Sequence, residues 1–365
     1  IEQLKKYETN PTANLIGSWD QLWRVQTELA QFLSARPQDL FLRPNVTSVI
    51  NTMVLGAPLN GAARGVGGEI LLSDAEYQAV VNICRMRAER DGLELKTFHV
   101  PGRSEECAAA TEDSLVDSFL QALTPKTRMV VISHVTTSHG LVLPIERIAH
   151  ETRSRGIPLI VDGAHATGAL ALNFSKLGDV DYYAGNLHKW VMGPKGPAFG
   201  WVHPLHQESL APLEAGWTTY DASSPHDQFG SGHRFAQKQL QAACINFAPF
   251  FALPAAFAFW KKYGPQVIRA RLLELQARVE KEVAQNLGWK RVSPPAGGLR
   301  GPLVAYELPP ALEAEGYGLM HRVLREKQVQ LSSTKLQGRW VVRFSPHLHL
   351  AEKDIIEAVS RLTQL

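Results

Sequence analysis

The sequence predicts an α/β fold, in which a large domain with a mostly parallel sheet flanked by helices is followed by a smaller C-terminal α/β domain. Segments typical of strands and of helices alternate from residue 41 to residue 202, with short connections. Several strand segments are continuous apolar runs, which indicates parallel strands covered on both faces. After a stretch rich in proline, glycine and serine, a second alternation begins at about residue 255.

Hydrophobic spacing and capping residues predict the individual elements. We expect helices over residues 16–35, 49–55, 78–90, 112–123, 143–156, 237–263, 265–285, 318–327 and 352–365. We expect strands, some with the turn that follows, over residues 41–48, 69–73, 93–100, 128–140, 158–168, 303–308 and 340–345. Prolines within 237–263 should break or kink that helix. The predicted units are residues 1–35, which pack with the small domain, the large domain 36–254 and the small domain 255–365.

The composition excludes several classes of protein. The chain has 365 residues, of which 45% are hydrophobic and 20% charged, so it can bury a large core. Its net charge is +3, and the two signs are interspersed without the basic block that marks nucleic-acid binding. No apolar run has the length of a membrane span, and three cysteines without motif spacing favour a reducing compartment. With no visible signal peptide, we expect a cytoplasmic protein, and we expect no metal site.

Residues 182–190 form the candidate reactive centre, because they end in His188-Lys189-Trp190 and lead into a Gly-Pro-Lys-Gly turn at 193–196. A buried lysine can lose its proton near neutral pH, and a neutral amine attacks an aldehyde to form a Schiff base. Upstream, residues 158–168 are typical of a buried parallel strand that ends in Asp162 and is followed closely by His165. Lys189 follows Asp162 by 27 residues.

These motifs resemble a known group of enzymes. Asp-Gly-Ala-His-Ala at 162–166, Asn-Leu-His-Lys at 186–189 and the spacing between them are similar to the class V aminotransferase group of pyridoxal 5′-phosphate (PLP) enzymes, which have fold type I. The likeness is greatest to isopenicillin N epimerase-like proteins, and C–S lyases and cysteine desulfurases are more distant. It extends from about residue 7 to the C-terminus. The resemblance implies PLP as cofactor, an amino acid as substrate and a homodimer with shared active sites.

The resemblance also implies roles for individual residues. Lys189 would form the Schiff base and act as the base at Cα, Asp162 would pair with the protonated pyridine nitrogen, and His165 would contact the PLP 3′-oxygen. An ion pair at the pyridine nitrogen keeps the ring electron-poor. The other implied cofactor contacts are Val46 and Thr47 at a helix N-terminus, Tyr77 over the ring, Thr137 near the 3′-oxygen, Asn186 and His188 at the phosphate, and His233 reaching the phosphate of the neighbouring subunit.

The sequence departs from the family pattern at some positions in or beside these contacts. Ala75 stands where the family often has histidine in Asp-His-Glu-Tyr, and His233 stands where the family has threonine. Arg343 lies in a segment that resembles the family's Val-Arg-x-Ser, whose arginine binds the substrate α-carboxylate. The fork of a guanidinium suits a carboxylate well.

The reaction stays open at this stage. A desulfurase needs a nucleophilic cysteine shortly before the carboxylate arginine, and residues 330–337 contain none. We therefore expect an amino-acid epimerase or racemase, with a C–S β-lyase of cysteine conjugates or an aminotransferase as alternatives. A catalytically silent PLP-binding homologue is the alternative from another class. Epimerisation needs a second acid/base, for which Tyr220, His226 and His233 are candidates.

Overall fold

The computed structural model describes residues 1–61, 67–216, 219–220, 232–240 and 245–365. Their helices are α1 Glu2–Thr9, α2 Pro11–Leu33, α3 Val46–Gly56, α4 Gln78–Asp91, α5 Ser104–Ala109, α6 Glu112–Ala122, α7 Ile145–Ser154, α8 Arg234–Lys238, α9 Ala248–Phe251, α10 Leu253–Tyr263, α11 Pro265–Asn286, α12 Pro310–Glu313, α13 Gly318–Lys327 and α14 Glu352–Leu362. Their strands are β1 Leu40–Arg43, β2 Glu69–Ser73, β3 Glu94–Phe98, β4 Thr127–Ser133, β5 Leu159–Asp162, β6 Tyr182–Asn186, β7 Ala198–Val202, β8 Val304–Glu307, β9 Ser332–Leu336 and β10 Arg339–Phe344.

Seven strands form the large sheet, in the order β1-β7-β6-β5-β4-β2-β3. The five strands from β6 to β3 are parallel, whereas β7 runs antiparallel to β6, and β1 antiparallel to β7. The predicted α/β fold with a mostly parallel sheet is therefore confirmed. The antiparallel edge arises because only residues 187–197 connect β6 to β7, and this connection is too short for a helical crossover.

Helices cover both faces of the large sheet. On one face α3 and α4 bury a cluster that includes Ile50, Met53 and Ile83. On the other face α2, α6, α7 and α10 bury Leu29, Phe119, Ile148 and Trp260. Strands buried on both faces need apolar side chains throughout, which explains the continuous apolar runs of β4 and β5.

The small sheet is antiparallel, in the order β8-β10-β9. It packs with α11, α13 and α14 through a separate apolar cluster. In the N-terminal region, α2 contacts α10, where the ring of Phe32 stacks on Phe257 and meets Trp260 edge-on. The domain boundaries predicted above stay a prediction.

Several elements differ from those expected. The predicted helix 237–263 is divided among α8, α9 and α10, because Pro249 and Pro254 lie in the first turns of α9 and α10, where proline is favoured. Helix α3 begins at Val46 rather than at residue 49. No element was predicted at α1, α5, α12 or β9, and β6 and β7 were not among the predicted strands, although both lie within the alternation predicted up to residue 202. Among the helices in the described parts of the chain, none has the length and apolarity of a bilayer span.

Candidate active site

A cleft of about 310 Å³ opens at the carboxyl ends of β4, β5 and β6. Strands β4 and β5 pair so that Ser133 lies opposite Asp162, and β6 places Ala184 on the other side of Asp162. The N-terminal ends of α3 and α4 and strand β10 complete the walls. Ten of the predicted site residues line this cleft: Val46, Thr47, Tyr77, Thr137, Asp162, His165, Asn186, His188, Lys189 and Arg343.

Asp162 is the buried acid of the cleft, with 4% of its surface exposed. Its Oδ1 accepts a hydrogen bond of 2.8 Å from the Ala164 backbone N–H. Burial raises the pKa of Asp162, and the nearby Lys189 ammonium opposes this increase. Gly163 allows the turn after β5, because a Cβ at this residue would lie 2.1 Å from the ring of Tyr183. A carboxylate so placed needs a cationic partner to stay ionised.

Lys189 follows β6 and extends towards Asp162. Its Nζ lies 3.0 Å from Nε2 of His165. Burial lowers the pKa of Lys189 to about 8, with Arg343 lowering it further and Asp162 opposing the shift. A fraction of this amine is therefore neutral near pH 7, which is the form that attacks an aldehyde.

His165 is neutral in this cleft. Burial lowers its pKa well below the usual value of 6.5, and the positive charges of Lys189 and Arg343 add to this effect. Because an ammonium group can only donate, Nε2 of His165 accepts from Lys189 and Nδ1 carries the proton. That Nδ1 is buried and has no hydrogen-bond partner among the described residues.

A tight turn fixes the direction of Lys189. The backbone N–H of Met192 donates to the Lys189 carbonyl at 3.1 Å, and Gly193 donates to Leu187 at 2.7 Å. Met192 adopts a positive φ of 64°, which is uncommon for a residue with a side chain. The Trp190 ring stacks on His347, with centroids 5.3 Å apart. The turn is thus held by its own backbone hydrogen bonds and by a ring contact from the segment after β10.

The start of α3 offers a seat for an anion. Asn45 caps this helix, and its Oδ1 accepts from the backbone N–H of Ser48 at 2.8 Å. The preceding N–H groups of Val46 and Thr47 lie in the first turn, where donors lack helical partners and the dipole favours negative charge. Both residues line the cleft, together with His188, whose pKa is lowered chiefly by burial.

Arg343 reaches the cleft from β10. Its Nη1 donates to the Thr137 carbonyl at 2.7 Å, so Thr137 contributes its backbone oxygen to the arginine. The Nε of Arg343 is buried and has no hydrogen-bond partner in the described part of the chain. Burial lowers the pKa of Arg343, and the nearby Tyr77 phenol opposes this shift. One edge of the guanidinium therefore remains for a ligand.

His233 lies elsewhere in this chain. It is exposed and lines a different cleft, together with Tyr220 and Lys238. Its predicted contact is with the neighbouring subunit, so that contact stays a prediction. His226, another predicted candidate for the second acid/base, is outside the described residues.

The sequence analysis missed Glu76, which lies directly before Tyr77 at the corner between β2 and α4. Its carboxylate accepts hydrogen bonds from Ser73 and Ser133. The only sequence signal was an acid between a buried strand and a helix, which is also typical of an ordinary turn. The pairing of β2 with β4, which brings Ser133 to Glu76, cannot be read from local sequence.

Comparison with known proteins identifies the family. Residues 3–305 match the family described as aminotransferase class-V. The chain belongs to this family. The class V resemblance is thus confirmed, and the protein is an enzyme whose cofactor is PLP.

Relatives of this class V enzyme have different activities. It is 32% identical to isopenicillin N epimerase of Streptomyces clavuligerus over 350 residues, which cover 94% of this chain and 84% of that protein. It is 26% identical to a probable cysteine desulfurase of Chlamydia trachomatis serovar D over 351 residues, or 94% of this chain and 83% of the other. The cystine C–S lyase C-DES, in complex with its product cysteine persulfide, shares the fold with a TM-score of 0.84 and 22% identity, over 100% of this chain and 92% of the lyase chain.

The cleft residues of the class V enzyme fit PLP. Asp162 offers a buried carboxylate, Lys189 an amine with a lowered pKa, and the start of α3 offers backbone donors. Asn186 ends β6 beside them, and its buried Oδ1 has no hydrogen-bond partner among the described residues. A pyridine nitrogen, an aldehyde and a phosphate each find a complementary group here.

Proposed function

We propose that this enzyme acts at Cα of an α-amino acid as an epimerase or racemase. The observation that carries the proposal is the convergence of Lys189, Asp162, His165 and Arg343 in one cleft. The 32% identity to isopenicillin N epimerase over 94% of the chain supports this choice among class V reactions. PLP, when bound, supplies an aldehyde that condenses with amines and a ring that takes up electrons from Cα.

Each cleft residue has a proposed task in this reaction. Lys189 would hold the cofactor's aldehyde through its Nζ and would serve as the base that moves the proton at the substrate Cα. Asp162 holds a proton on the pyridine nitrogen, since a buried carboxylate gains most from a cationic partner. His165 stays neutral, so it donates to an oxygen through Nδ1 without adding positive charge.

The remaining contacts would hold the cofactor's phosphate and ring and the substrate's α-carboxylate. We propose that Val46 and Thr47 bind the phosphate through their backbone N–H groups, with Asn186 and His188 beside them. Tyr77 is proposed to lie over the ring. Arg343 is proposed to bind the substrate α-carboxylate through the edge formed by Nε and Nη2, because Nη1 is already bonded to Thr137.

A C–S β-lyase is the second candidate. Epimerisation needs a second acid/base, and among the described residues of the cleft Tyr77 is the one such group on the α4 side. Tyr220 and His233 line another cleft of this chain. A β-lyase needs a single base at Cα, which Lys189 can supply. An aminotransferase remains a third candidate.

Desulfurase chemistry fits the cleft poorly. Cys84 and Cys107 are buried free thiols, and burial raises the pKa of each. Neither residue lines the cleft. A nucleophilic cysteine needs a lowered pKa and access to the substrate. A catalytically silent role is disfavoured because it gives no physical reason for the set of Lys189, Asp162, His165 and Arg343.

We further propose that the enzyme is a cytoplasmic homodimer in which His233 approaches the neighbouring subunit's phosphate site. The exposed positions of His233 and Tyr220, the latter 81% exposed, leave both available to a second copy. Free thiols in the described part of the chain are typical of a reducing compartment.

The visible spectrum of the cofactor tests the role of Lys189. Lys189→Ala should abolish the absorbance of lysine-bound PLP and prevent its covalent fixation by borohydride. Lys195→Ala is the matched control, because Lys195 is an exposed lysine in the same turn region. A Lys189→Ala protein that still fixes the cofactor in the same yield would refute the assignment.

Incubation in heavy water then separates the reactions. L- and D-amino acids and S-substituted cysteines are added to the loaded enzyme. Deuterium at Cα with inversion supports the epimerase or racemase, whereas pyruvate and ammonia from cysteine conjugates support the lyase. Formation of a keto acid with a stoichiometric change to the aminated cofactor supports the aminotransferase.

A further inference from the structure

Glu76 is a carboxylate near the active-site cleft that the proposed reaction does not use. It lies at the corner between β2 and α4, directly before Tyr77. Its Oε1 accepts hydrogen bonds from the Ser73 hydroxyl at 2.6 Å and from the Ser133 backbone N–H at 2.9 Å. Its Oε2 accepts from the Ser133 hydroxyl at 2.6 Å. Three donors thus fix this carboxylate, although the residue as a whole is only partly buried.

Ser133 connects Glu76 to Asp162. The β4–β5 register places Ser133 directly opposite Asp162. The next residue, His134, donates its backbone N–H to the Asp162 carbonyl at 2.9 Å. The segment of Ser133 and His134 thus contacts the Glu76 carboxylate on the β2 side of β4 and the Asp162 backbone on the β5 side.

The surroundings of Glu76 bring its pKa close to neutral pH. Burial raises its pKa to about 7, its hydrogen bonds to the two serines oppose this shift, and the negative charge of Asp162 adds to it. The other titratable group that faces it is the buried thiol of Cys84 on α4. Among the described residues no lysine or arginine forms an ion pair with Glu76. Asp162 is thus the acid whose negative charge interacts with that of Glu76.

We infer that Glu76 is a positioning residue that acts through Asp162 and strengthens the hold of Asp162 on a protonated ring nitrogen. This inference rests on the proposed pairing of Asp162 with PLP. A second negative charge behind Asp162 raises the proton affinity of the pair and stabilises a cation in front of it. The same charge destabilises the protein without cofactor, because the carboxylates of Glu76 and Asp162 repel each other. The Glu76 charge therefore lowers the stability of the cofactor-free protein and raises its affinity for the cofactor.

Glu76→Gln tests this inference, because glutamine keeps the shape of the side chain and removes the charge. The dissociation constant of PLP is measured at about pH 5.5 and about pH 8.5, on either side of the Glu76 pKa of about 7. We expect the ratio of variant to wild-type constants to be close to one at the lower pH. At the higher pH it should be about fivefold or more, the lower end of typical coupling between sites.

The free protein should respond in the opposite direction. Because the pKa of Glu76 is raised from 4.5 to about 7 in the folded state, folding favours its neutral form. The contribution of Glu76 to the free energy of unfolding of the wild-type protein is therefore greatest at low pH, and it declines as the pH rises to about 7. The melting temperature of cofactor-free Glu76→Gln, relative to wild type, should rise over this range. A side chain that only supports the fold would give a loss independent of pH.

Glu69→Gln provides a matched control. Glu69 lies at the opposite end of β2, is 7% exposed and accepts a hydrogen bond from the Thr124 hydroxyl at 2.6 Å. Glu69→Gln should leave the dissociation constant of PLP unchanged at both pH values. An equal ratio at both pH values for Glu76→Gln, with a normal cofactor band, would overturn the inference alone. Absence of any cofactor band in the wild-type protein would instead overturn the proposed function.

Discussion

Replacing Arg343 with alanine should weaken amino-acid binding far more than cofactor binding. Nη1 of Arg343 is already bonded to the Thr137 carbonyl at 2.7 Å, and Nε is buried without a hydrogen-bond partner among the described residues. The Nε–Nη2 edge can therefore make two parallel bonds to a carboxylate. Removing one partner of a buried charged pair costs about 2–5 kcal/mol. This corresponds to roughly 30- to 5,000-fold weaker binding of the amino acid.

The assay uses the change in cofactor absorbance when an amino acid binds. The same titration with the corresponding amine, which lacks the carboxylate, should give equal constants for wild type and Arg343→Ala. Arg343→Lys keeps the charge and loses the fork, so its loss should be smaller, about tenfold. Arg339→Ala is the control, because Arg339 is on the same strand and pairs with Glu307 away from the cleft. Equal losses for the amino acid, the amine and PLP would mean that Arg343 only supports the fold.

Three further substitutions test other parts of the site. Lys189→Met should raise the melting temperature of the cofactor-free protein at pH 7, because the pKa of Lys189 is lowered to about 8. The gain should shrink as the pH rises from about 8 towards 10.5, where wild-type lysine is neutral in both states. Gly163→Ala should cost about 1–3 kcal/mol of unfolding free energy by denaturant titration, since its Cβ would lie 2.1 Å from the Tyr183 ring. Asn45→Ala should cost about 0.5–2 kcal/mol through the lost cap of α3. It should also weaken PLP binding more than binding of pyridoxal without phosphate, as measured by absorbance titration.

Each of these expectations has a result that contradicts it. A Lys189→Met gain that persists unchanged at high pH would show that charge burial is not its cause. Unaltered unfolding of Gly163→Ala would mean that the Tyr183 ring moves aside freely. If Asn45→Ala weakened the binding of PLP and of pyridoxal equally, the N-terminus of α3 would not be the phosphate site.

The parallel core was predictable because it depends on local composition. Strands β2, β4 and β5 are buried on both faces, so each is a continuous apolar run that ends in a polar residue. Strand β9 was missed because it consists of Ser, Ser, Thr, Lys and Leu, and its place in the sheet comes from pairing with β10. Helix α1 has no fully buried residue, and Leu4 and Tyr7 are its only apolar residues, which is too few to establish a helical period.

The sequence was enough to predict which residues line the cleft, but not how these residues contact one another. Asp162 stands at the end of a recognisable apolar strand, and parallel strands bring such ends to one edge of a sheet, whereas Lys189 lies beyond the end of β6 and was marked by the motif His188-Lys189. The contact between Arg343 and the Thr137 carbonyl joins residues 206 positions apart through a backbone atom. A backbone oxygen is the same in every residue, so no side chain in the sequence marks it. The link from Glu76 through Ser133 likewise depends on strand order rather than on either residue alone.

The cleft is assembled from residues as distant as Val46 and Arg343. Contacts between residues so far apart in sequence close large loops, and large loops close late in folding. The Trp190 ring beside Lys189 also stacks on His347, so this contact forms only when the segment after β10 is in place. We therefore expect the cofactor's colour to return during refolding only after the segment after β10 has docked on the large domain. Truncated or partly folded chains would be colourless, and the bound cofactor can serve as a direct reporter of complete folding.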